Sequence, residues 1–285
     1  MESNTSPKHK EILIRKASGE EEVFDIHKLE SSLHNAGANR IIIKKILIDI
    51  EKWIYTGVTT KKIYSRAFSI LNREKTGSSL RYKLKQAILE LGPSGYPFEQ
   101  FIGQLFVRKG YETEVGIIVD GHCVTHEMDV IATKDSIQHL MECKYHKDQG
   151  KSVSVQVPLY VRSRVDDIIR KREHMNDYQG LSFTAWVVTN TRFSSDSIQY
   201  GRCAGLKLLA WDYPRGKGLK DLIEEVKIYP ITVLTKLTKK EKEMVLEQDI
   251  VTCTQLQQNL HILDPLALSS RKYQELLKEL EHICG

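Results

Sequence analysis

Residues 122–144 constrain the fold more than any other stretch, because they read as two β-strands with charged side chains in their interiors. Residues two apart share a face of a strand, so Glu127 and Asp129 are predicted to point the same way. Glu142 and Lys144 are predicted to share a face of the second strand for the same reason. If the strands pair, three carboxylates and one ammonium lie on one side of a sheet.

Carboxylates grouped in this way repel one another unless positive charge lies among them. A divalent cation is the natural partner, and Mg²⁺ prefers oxygen ligands. Charge alternation on an outer strand gives the same pattern, however. A solvated strand face with a salt bridge between Glu142 and Lys144 is therefore the alternative interpretation.

The elements on either side of this stretch add further polar groups. An apolar stripe at helical spacing predicts a helix over residues 98–109, with Glu99 in its first turn. Another helix is predicted over residues 153–172, where Gln156 and Tyr160 lie one turn apart. Glu99 is either a site residue or an acid that stabilises the helix dipole, and Gln156 and Tyr160 also fit ordinary helix positions.

The PD-(D/E)xK nucleases carry the same order of groups that this sequence presents in Glu99, Asp129, Glu142-Cys143-Lys144 and Gln156. In particular, the sequence resembles the branch that contains Mrr-type restriction endonucleases and archaeal Holliday-junction resolvases. The resemblance implies a restriction-endonuclease-like α/β/α domain with a mixed sheet. It also implies that an acidic residue on the preceding helix completes the site, a place that Glu99 fits.

The same resemblance assigns a role to each residue of the site. Asp129, Glu142 and the backbone carbonyl of Cys143 would bind Mg²⁺ or Mn²⁺, and the metal would polarise the scissile phosphate. Lys144 would orient the attacking water and stabilise the charge that builds on the phosphorus centre. Gln156 would help to position the site or the DNA backbone.

The first part of the chain is predicted to form a β-hairpin followed by helices. Strands are expected at residues 12–16 and 23–24 around a turn at Gly19, and helices at residues 26–36, 41–55, from Thr59 or Thr60 onward, and 79–91.

Residues 14–16, Gly19, 22–25 and Lys28-Leu29 resemble the ATP-cone, the nucleotide-sensing domain of many ribonucleotide reductases and of their transcriptional repressor. The resemblance implies that ATP or dATP binds as an allosteric ligand, with Lys16, Phe24 and Lys28 as binding residues. Both lysines and the N-terminus of the following helix could neutralise phosphates. Taken on spacing alone, the two lysines read as solvated surface residues.

Turn-forming residues and changes in composition divide this multidomain α/β chain into four predicted segments. Residues 1–9 are predicted to be a disordered tail, 10–91 the ATP-cone-like domain, 92–229 the nuclease-like domain and 230–285 a small all-α domain. The last segment resembles helix-hairpin-helix DNA-binding modules, and a packing or oligomerisation domain fits its pattern equally well.

Composition narrows the class of protein. The five cysteines are scattered and form no C-x-x-C pair, so neither a disulfide framework nor a zinc knuckle is expected. The N-terminus has no apolar signal segment, and no run approaches the ~18 apolar residues of a membrane span. We therefore expect a cytoplasmic protein without a membrane partner. The sequence contains no P-loop, G-x-S-x-G or H-E-x-x-H motif.

Taken with the two resemblances, these observations predict a metal-dependent endonuclease that hydrolyses DNA, is regulated by ATP or dATP, and assembles as a homo-oligomer. The net charge of +5 fits a nucleic-acid partner. The predicted phosphate contacts are basic residues of the helix after the site: Arg162, Arg164, Arg170, Lys171 and Arg172. The alternatives are a nucleotide-sensing regulator with an inactive nuclease fold, and a nuclease that acts on RNA.

Overall fold

The computed structural model of the protein describes residues 12–36, 38–73 and 82–285. They divide between Tyr82 and Lys83 into an N-terminal unit and a C-terminal unit. The predicted tail at residues 1–9, the helix-ending Gly37 and the start of the helix predicted at 79–91 lie outside the described residues.

The N-terminal unit consists of a hairpin and helices, as predicted. Its elements are β1 (Leu13–Arg15), β2 (Glu21–Val23), α1 (Ile26–Asn35), α2 (Arg40–Trp53) and α3 (Thr60–Arg73). Strands β1 and β2 are antiparallel, and the turn between them uses Gly19 at a φ of +85°. Glycine is suited to that turn because residues with a side chain are strained at positive φ.

Side-chain caps and apolar stripes explain the helices of this unit. Asp25 caps α1 by accepting the N–H of His27, and Asn39 caps α2 by accepting the N–H of Ile42. The buried faces of the helices close one core, formed by Ile14, Leu29, Leu33, Ile42, Ile43, Ile46, Ile50, Val58, Ile63, Ala67 and Leu71.

A five-stranded mixed sheet organises the C-terminal unit. In spatial order its strands are β3 (Glu112–Asp120), β4 (Thr125–Lys134), β5 (Ile137–Lys144), β7 (Ser182–Thr189) and β9 (Lys207–Leu209). Strand β4 is antiparallel to both β3 and β5, and β5, β7 and β9 are parallel. A separate parallel pair joins β6 (Ser152–Val153) to β8 (Arg192–Phe193).

Helices cover both faces of this sheet, so the mixed α/β architecture expected from the sequence is present. The helices of the unit are α4 (Leu84–Leu89), α5 (Tyr96–Arg108), α6 (Gln156–Arg172), α7 (Ser195–Cys203), α8 (Leu219–Val226), α9 (Lys239–Leu246), α10 (Cys253–Gln258) and α11 (Ser270–Cys284). The aromatic ring of Phe106 in α5 packs against His139 on one face. The neighbouring Leu140 joins a core with Val161, Val165 and Ile168 of α6 on the other face.

Helix α4 belongs to the C-terminal unit, which differs from the predicted boundary between residues 91 and 92. The Thr232 hydroxyl donates to the carbonyl of Ala87 over 2.7 Å. The Tyr145 hydroxyl donates to the carbonyl of Leu89 over 2.6 Å. Both bonds tie α4 to segments that follow the Gly92–Pro97 breaker, so a strong turn signal here lies inside a folded unit.

The last quarter of the chain is helical, as predicted, and its helices begin at capping residues. Thr238, Thr252 and Ser269 each accept a backbone N–H of the first turn of α9, α10 and α11. Helix α11 starts at Ser270. Within the described part of the chain, no helix is both long and apolar enough to cross a membrane.

The position of α4 can be tested by truncation. We expect residues 83–285 to unfold cooperatively and residues 92–285 to be much less stable. The shorter polypeptide lacks the buried Leu84, Ile88 and Leu89, and removing one buried Leu or Ile side chain costs about 2–5 kcal/mol. Thermal unfolding followed by near-UV circular dichroism measures the difference. Equal melting temperatures would instead support a boundary at residues 91 and 92.

Candidate active site

Strands β4 and β5 stop pairing through their backbones where the predicted site begins. Their last ladder pair is Val130 with Met141. Beyond it, Oδ2 of Asp129 accepts the backbone N–H of Cys143 over 2.6 Å. The Asp129 carboxylate thereby takes the place of a backbone acceptor and is fixed beside Glu142.

The alternation of side chains is interrupted at the same level of the sheet. His126 of β4 contacts Asp167 of α6. Ile131 also faces α6, because it pairs with Leu140 and both belong to the core on that side of the sheet. In a regular strand, two residues separated by an odd number of positions face opposite sides. In β3 the neighbouring Gly116 has a φ of +65°. The break falls on Asp129, where the sequence pattern alone predicts uninterrupted alternation.

Glu142 is the most buried charged group of the site, at 4% exposure. Lys144 forms an ion pair with its Oε1, and Arg164 of α6 forms another with its Oε2. The Arg164 guanidinium also lies over the ring of Tyr160, 5.0 Å from its centroid. Two cations thus match one buried carboxylate, as a buried charge requires.

Two of the arginines predicted to contact phosphates are turned inward instead. Arg164 is occupied by Glu142, and Arg172 donates to the side-chain oxygen of Gln138 in β5. Both arginines are buried, so this part of the prediction is wrong for them. Their positions on the helix face the sheet, because α6 places every third or fourth residue against the core.

Glu99 of α5 lies within electrostatic reach of the site. Burial, followed by the negative charges of Asp129, Glu127 and Glu142, raises the pKa of Glu99 to about 7. Burial and the charge of Glu142 raise the pKa of Asp129 to about 6. The structure therefore brings together the four carboxylates that the sequence analysis selected, and their mutual repulsion is only partly relieved.

Lys144 supplies part of that relief. Burial acts to lower its pKa, but the hydrogen bond and charge of Glu142 and the charge of Asp129 outweigh it, so the pKa is raised. The ammonium stays charged, and its side chain is 37% exposed, against 9% for Arg164. Lys144 is thus the more accessible of the two cations that hold Glu142.

The donor set fits a hard divalent cation, although no ready-made side-chain cage is present. Among the residues that the structure describes, no three His, Cys, Asp or Glu side chains are arranged as metal ligands. The predicted set of Asp129, Glu142 and the Cys143 carbonyl contains two carboxylates and one backbone oxygen. These are oxygen donors of the kind that Mg²⁺ prefers. Burial and the neighbouring carboxylates raise the pKa values of Glu99 and Asp129, and a bound cation would offset both effects.

The predicted helix residues have different positions relative to this cluster. Gln156 begins α6 and is exposed, and within the described residues its side chain forms no hydrogen bond to the carboxylates. Tyr160, one turn later, is 55% exposed and connects to the site through its contact with Arg164. Arg164 is therefore the site residue whose role the sequence analysis assigned wrongly. It lies one helical turn after Tyr160 on the same face of α6, and this spacing is the signal that could have placed it beside the site.

A second polar group behind Lys144 was not predicted. The hydroxyl of Thr189 donates to the carbonyl of Lys144 over 2.7 Å. The Asn190 side chain accepts the N–H of His146 and donates to its carbonyl, both over 2.8 Å. A run of Thr-Asn-Thr directly after a buried apolar strand is the sequence signal for such side-chain pairing at a strand end.

The predicted nucleotide residues of the N-terminal unit form their own arrangement. The ammonium groups of Lys16 and Lys28 lie 2.8 and 3.5 Å from the same Glu22 carboxylate oxygen. Phe24 is partly buried against the core of the unit. The carboxylate of Asp25 is used as the cap of α1. Both lysines form ion pairs with Glu22, which lies between them.

Comparisons with known proteins add relatives for part of the chain. The family model described as AF1548-like, C-terminal, matches residues 229–284. An uncharacterized protein of Archaeoglobus fulgidus is 30% identical over 186 residues, which are 65% of this chain and 100% of that protein. The crystal structure of AF1548, a protein of unknown function, is similar with a TM-score of 0.55 and 28% identity, over 67% of this chain and 98% of that one.

A more remote similarity is to a structure of the MspJI restriction endonuclease in complex with a 27-mer oligonucleotide. It has a TM-score of 0.30 and 15% identity, over 51% of this chain and 31% of that one. A similarity of this size supports no argument about the present chain.

The carboxylate cluster predicts a pH dependence of stability. With a pKa raised from 4.5 to about 7, Glu99 keeps its proton longer in the folded chain than in the unfolded chain. Stability should fall as pH rises through this window. We expect Glu99→Gln to match the native chain at low pH and to melt at a higher temperature above neutral pH.

Calorimetry at pH values below, within and above the window measures this difference. Glu112→Gln, at an exposed position of β3, is the matched control. A constant offset between Glu99→Gln and the native chain at all pH values would contradict the assignment.

Proposed function

The chain belongs to the AF1548-like family, and we propose that it is a metal-dependent nuclease that hydrolyses phosphodiester bonds of DNA. The observation that carries the proposal is the meeting of Glu99, Asp129, Glu142 and Lys144 where β4 and β5 separate. Repelling carboxylates beside an accessible ammonium suit a phosphate bound through a cation. An ordinary surface salt bridge between Glu142 and Lys144 would not require Glu142 to be buried.

Asp129, Glu142 and the Cys143 carbonyl would hold Mg²⁺ or Mn²⁺, with Glu99 nearby. The bound metal would act as a Lewis acid on the scissile phosphate and activate water. Asp129 is already oriented by its bond to the Cys143 N–H, and Glu142 by its pair with Arg164. Little reorganisation of these two ligands is then needed.

Lys144 is suited to the phosphate itself. Its ammonium is the exposed partner of Glu142 and stays protonated at neutral pH. Moved from Glu142 to a phosphate oxygen, it would stabilise the negative charge of the transition state. Arg164 would remain on Glu142, because its side chain is almost fully enclosed. We therefore assign charge stabilisation and water orientation to Lys144, and positioning of Glu142 to Arg164.

Two alternatives use the same fold. A nucleotide-sensing regulator with an inactive nuclease fold would bind DNA without cutting it in Mg²⁺ or Mn²⁺. A nuclease for RNA would cut RNA and spare DNA. The presence of both Glu142 and Lys144 in one contact favours the active enzyme over the regulator.

We expect Asp129→Asn and Glu142→Gln to lower metal-dependent nicking of supercoiled DNA by on the order of 100-fold or more, which is the cost of losing a strong charge interaction in a transition state. Lys144→Met should slow cleavage similarly and spare Mn²⁺ binding, because Lys144 is not a ligand. Gel assays measure nicking, and calorimetry measures Mn²⁺ binding.

Glu112→Gln, which removes a distant exposed carboxylate of β3, is the control for net charge. Asp129→Asn retains an oxygen that can accept the Cys143 N–H, so it separates loss of charge from loss of fold. Full nicking activity in folded Asp129→Asn would contradict the assignment. Equal loss of Mn²⁺ binding in Lys144→Met would contradict its role.

We further propose that the N-terminal unit binds ATP or dATP and that binding changes the activity or the homo-oligomeric state of the chain. The supporting observation is the pair of lysines on Glu22, next to the N-terminus of α1. A triphosphate would take the place of the Glu22 carboxylate and meet both ammonium groups. In this arrangement Glu22 competes with the nucleotide for Lys16 and Lys28.

This competition gives a prediction with an unusual sign. We expect Glu22→Gln to bind ATP and dATP about two- to five-fold more tightly, because exposed ion pairs are worth roughly 0–1 kcal/mol. Lys16→Gln with Lys28→Gln should abolish binding, and Glu21→Gln on the same strand is the matched control. Calorimetry with a non-hydrolysable analogue measures affinity, and light scattering measures assembly. Unchanged affinity in Glu22→Gln would contradict this binding site.

A further inference from the structure

A row of cations lies along the sheet edge that carries Lys144. The parallel strands β5, β7 and β9 end at this edge, and open α/β sheets bind ligands beyond the carboxyl ends of their strands. We call four residues in the segments that follow these strands, or pack against them, the basic edge: Lys151, Arg192, Lys220 and Lys85.

Backbone and side-chain bonds fix these segments next to one another. Nη2 of Arg192 donates to the Gly150 carbonyl over 3.1 Å, which brings it beside Lys151. The N–H of Trp211 donates to the Thr191 carbonyl over 3.2 Å, and the N–H of Lys220 donates to the Trp211 carbonyl over 3.1 Å. The basic edge is therefore continuous from the loop after β5 to the start of α8.

Lys85 of α4 completes the row over the same tryptophan. Its Nζ lies 5.7 Å from the centroid of the Trp211 ring. Burial and the nearby charges of Lys220 and Arg192 lower its pKa, and Asp212 acts in the opposite direction. Among the described residues, the Lys85 ammonium has no hydrogen bond or ion pair. A half-buried cation held among other cations stores repulsion that an anion would relieve.

His146 connects the basic edge to the active site. Its backbone is held by Asn190, and burial together with Lys151 and Lys144 lowers its pKa, against Asp148. Lys144 and Lys151 are thus both close to this imidazole. Its Nε2 is buried and has no hydrogen-bond partner within the described residues. The carboxylates near the basic edge are Asp148 beside this imidazole, Asp212 near Lys85, and Glu224, which interacts with Lys220.

We propose that the basic edge binds successive phosphates of the DNA strand that runs from the cleavage position at Lys144 toward Trp211. The inference rests on the proposed nuclease function and adds the path of the substrate. Phosphate contacts of this kind give affinity and register without reading sequence. This path replaces the phosphate contacts that the sequence analysis predicted at the end of α6. That end of the helix lies beside Gln138, at the start of β5 and away from Lys144.

The test is the salt dependence of DNA binding without divalent cation, so that no cleavage occurs. We expect Lys151→Gln with Lys220→Gln to weaken binding of a fluorescein-labelled duplex and to flatten the slope of log K against log salt by about 0.9 for each lost contact. Fluorescence anisotropy measures both quantities. Lys85→Gln added to the pair should flatten the slope further.

The matched control is Arg170→Gln with Lys171→Gln, which removes the same charge from exposed positions at the end of α6. It should leave the slope close to that of the native chain. An unchanged slope in folded Lys151→Gln with Lys220→Gln overturns the basic edge, as does an equal change in the control pair.

Further arms separate this inference from the function it rests on. If the native chain cuts DNA and the variants of the basic edge show an unchanged salt slope, only the proposed DNA path is overturned. A native chain that neither binds nor cuts DNA overturns both. An RNA duplex of the same sequence is tested in parallel, and a slope change confined to RNA overturns the assignment to DNA.

Discussion

The buried carboxylate of Glu142 is the group on which the rest of the site depends. It lies near the end of β5 inside the sheet and cannot be left without positive charge, since removing one partner of a buried pair costs about 3–5 kcal/mol. Lys144 comes from the same strand and Arg164 from α6. The pair with Arg164 therefore joins helix to sheet, while the pair with Lys144 leaves one cation within reach of solvent. One carboxylate thus joins helix to sheet and, under the proposed function, would also bind the metal.

The site is accessible because the sheet opens at this point. Strands β4 and β5 lose their ladder after Val130 and Met141, and Asp129 satisfies the freed Cys143 N–H with its own side chain. A buried N–H left unpaired would be unfavourable, so the separation of the strands and the position of Asp129 require each other. Replacing Asp129 by an apolar residue would remove both a carboxylate and the group that stabilises the open end.

The sequence was informative wherever local patterns decide the outcome. The helices predicted at residues 26–36 and 41–55 are present as α1 and α2, and the alternation around Asp129 and Glu142 predicted that the two carboxylates would lie together. Tertiary choices were not predictable in this way. The direction of Arg164 depends on which face of α6 meets the sheet, and the unit to which α4 belongs depends on bonds to Tyr145 and Thr232. The Gly92–Pro97 breaker marks a turn correctly but cannot say whether the chain then returns to the same core.

Under the proposed nuclease function, opposite charges on one sheet edge would resolve an electrostatic conflict. A phosphate backbone is repelled by Asp129, Glu142 and Glu99, yet it must approach them to be cut. Burial, together with the charges of the neighbouring carboxylates, raises the pKa values of Glu99 and Asp129. A bound divalent cation can offset that charge at the scissile phosphate only. The neighbouring phosphates need fixed cations within a Debye length of about 10 Å, and a row that begins beside Lys144 provides them. Acidic centre and basic edge are thus two halves of one electrostatic requirement.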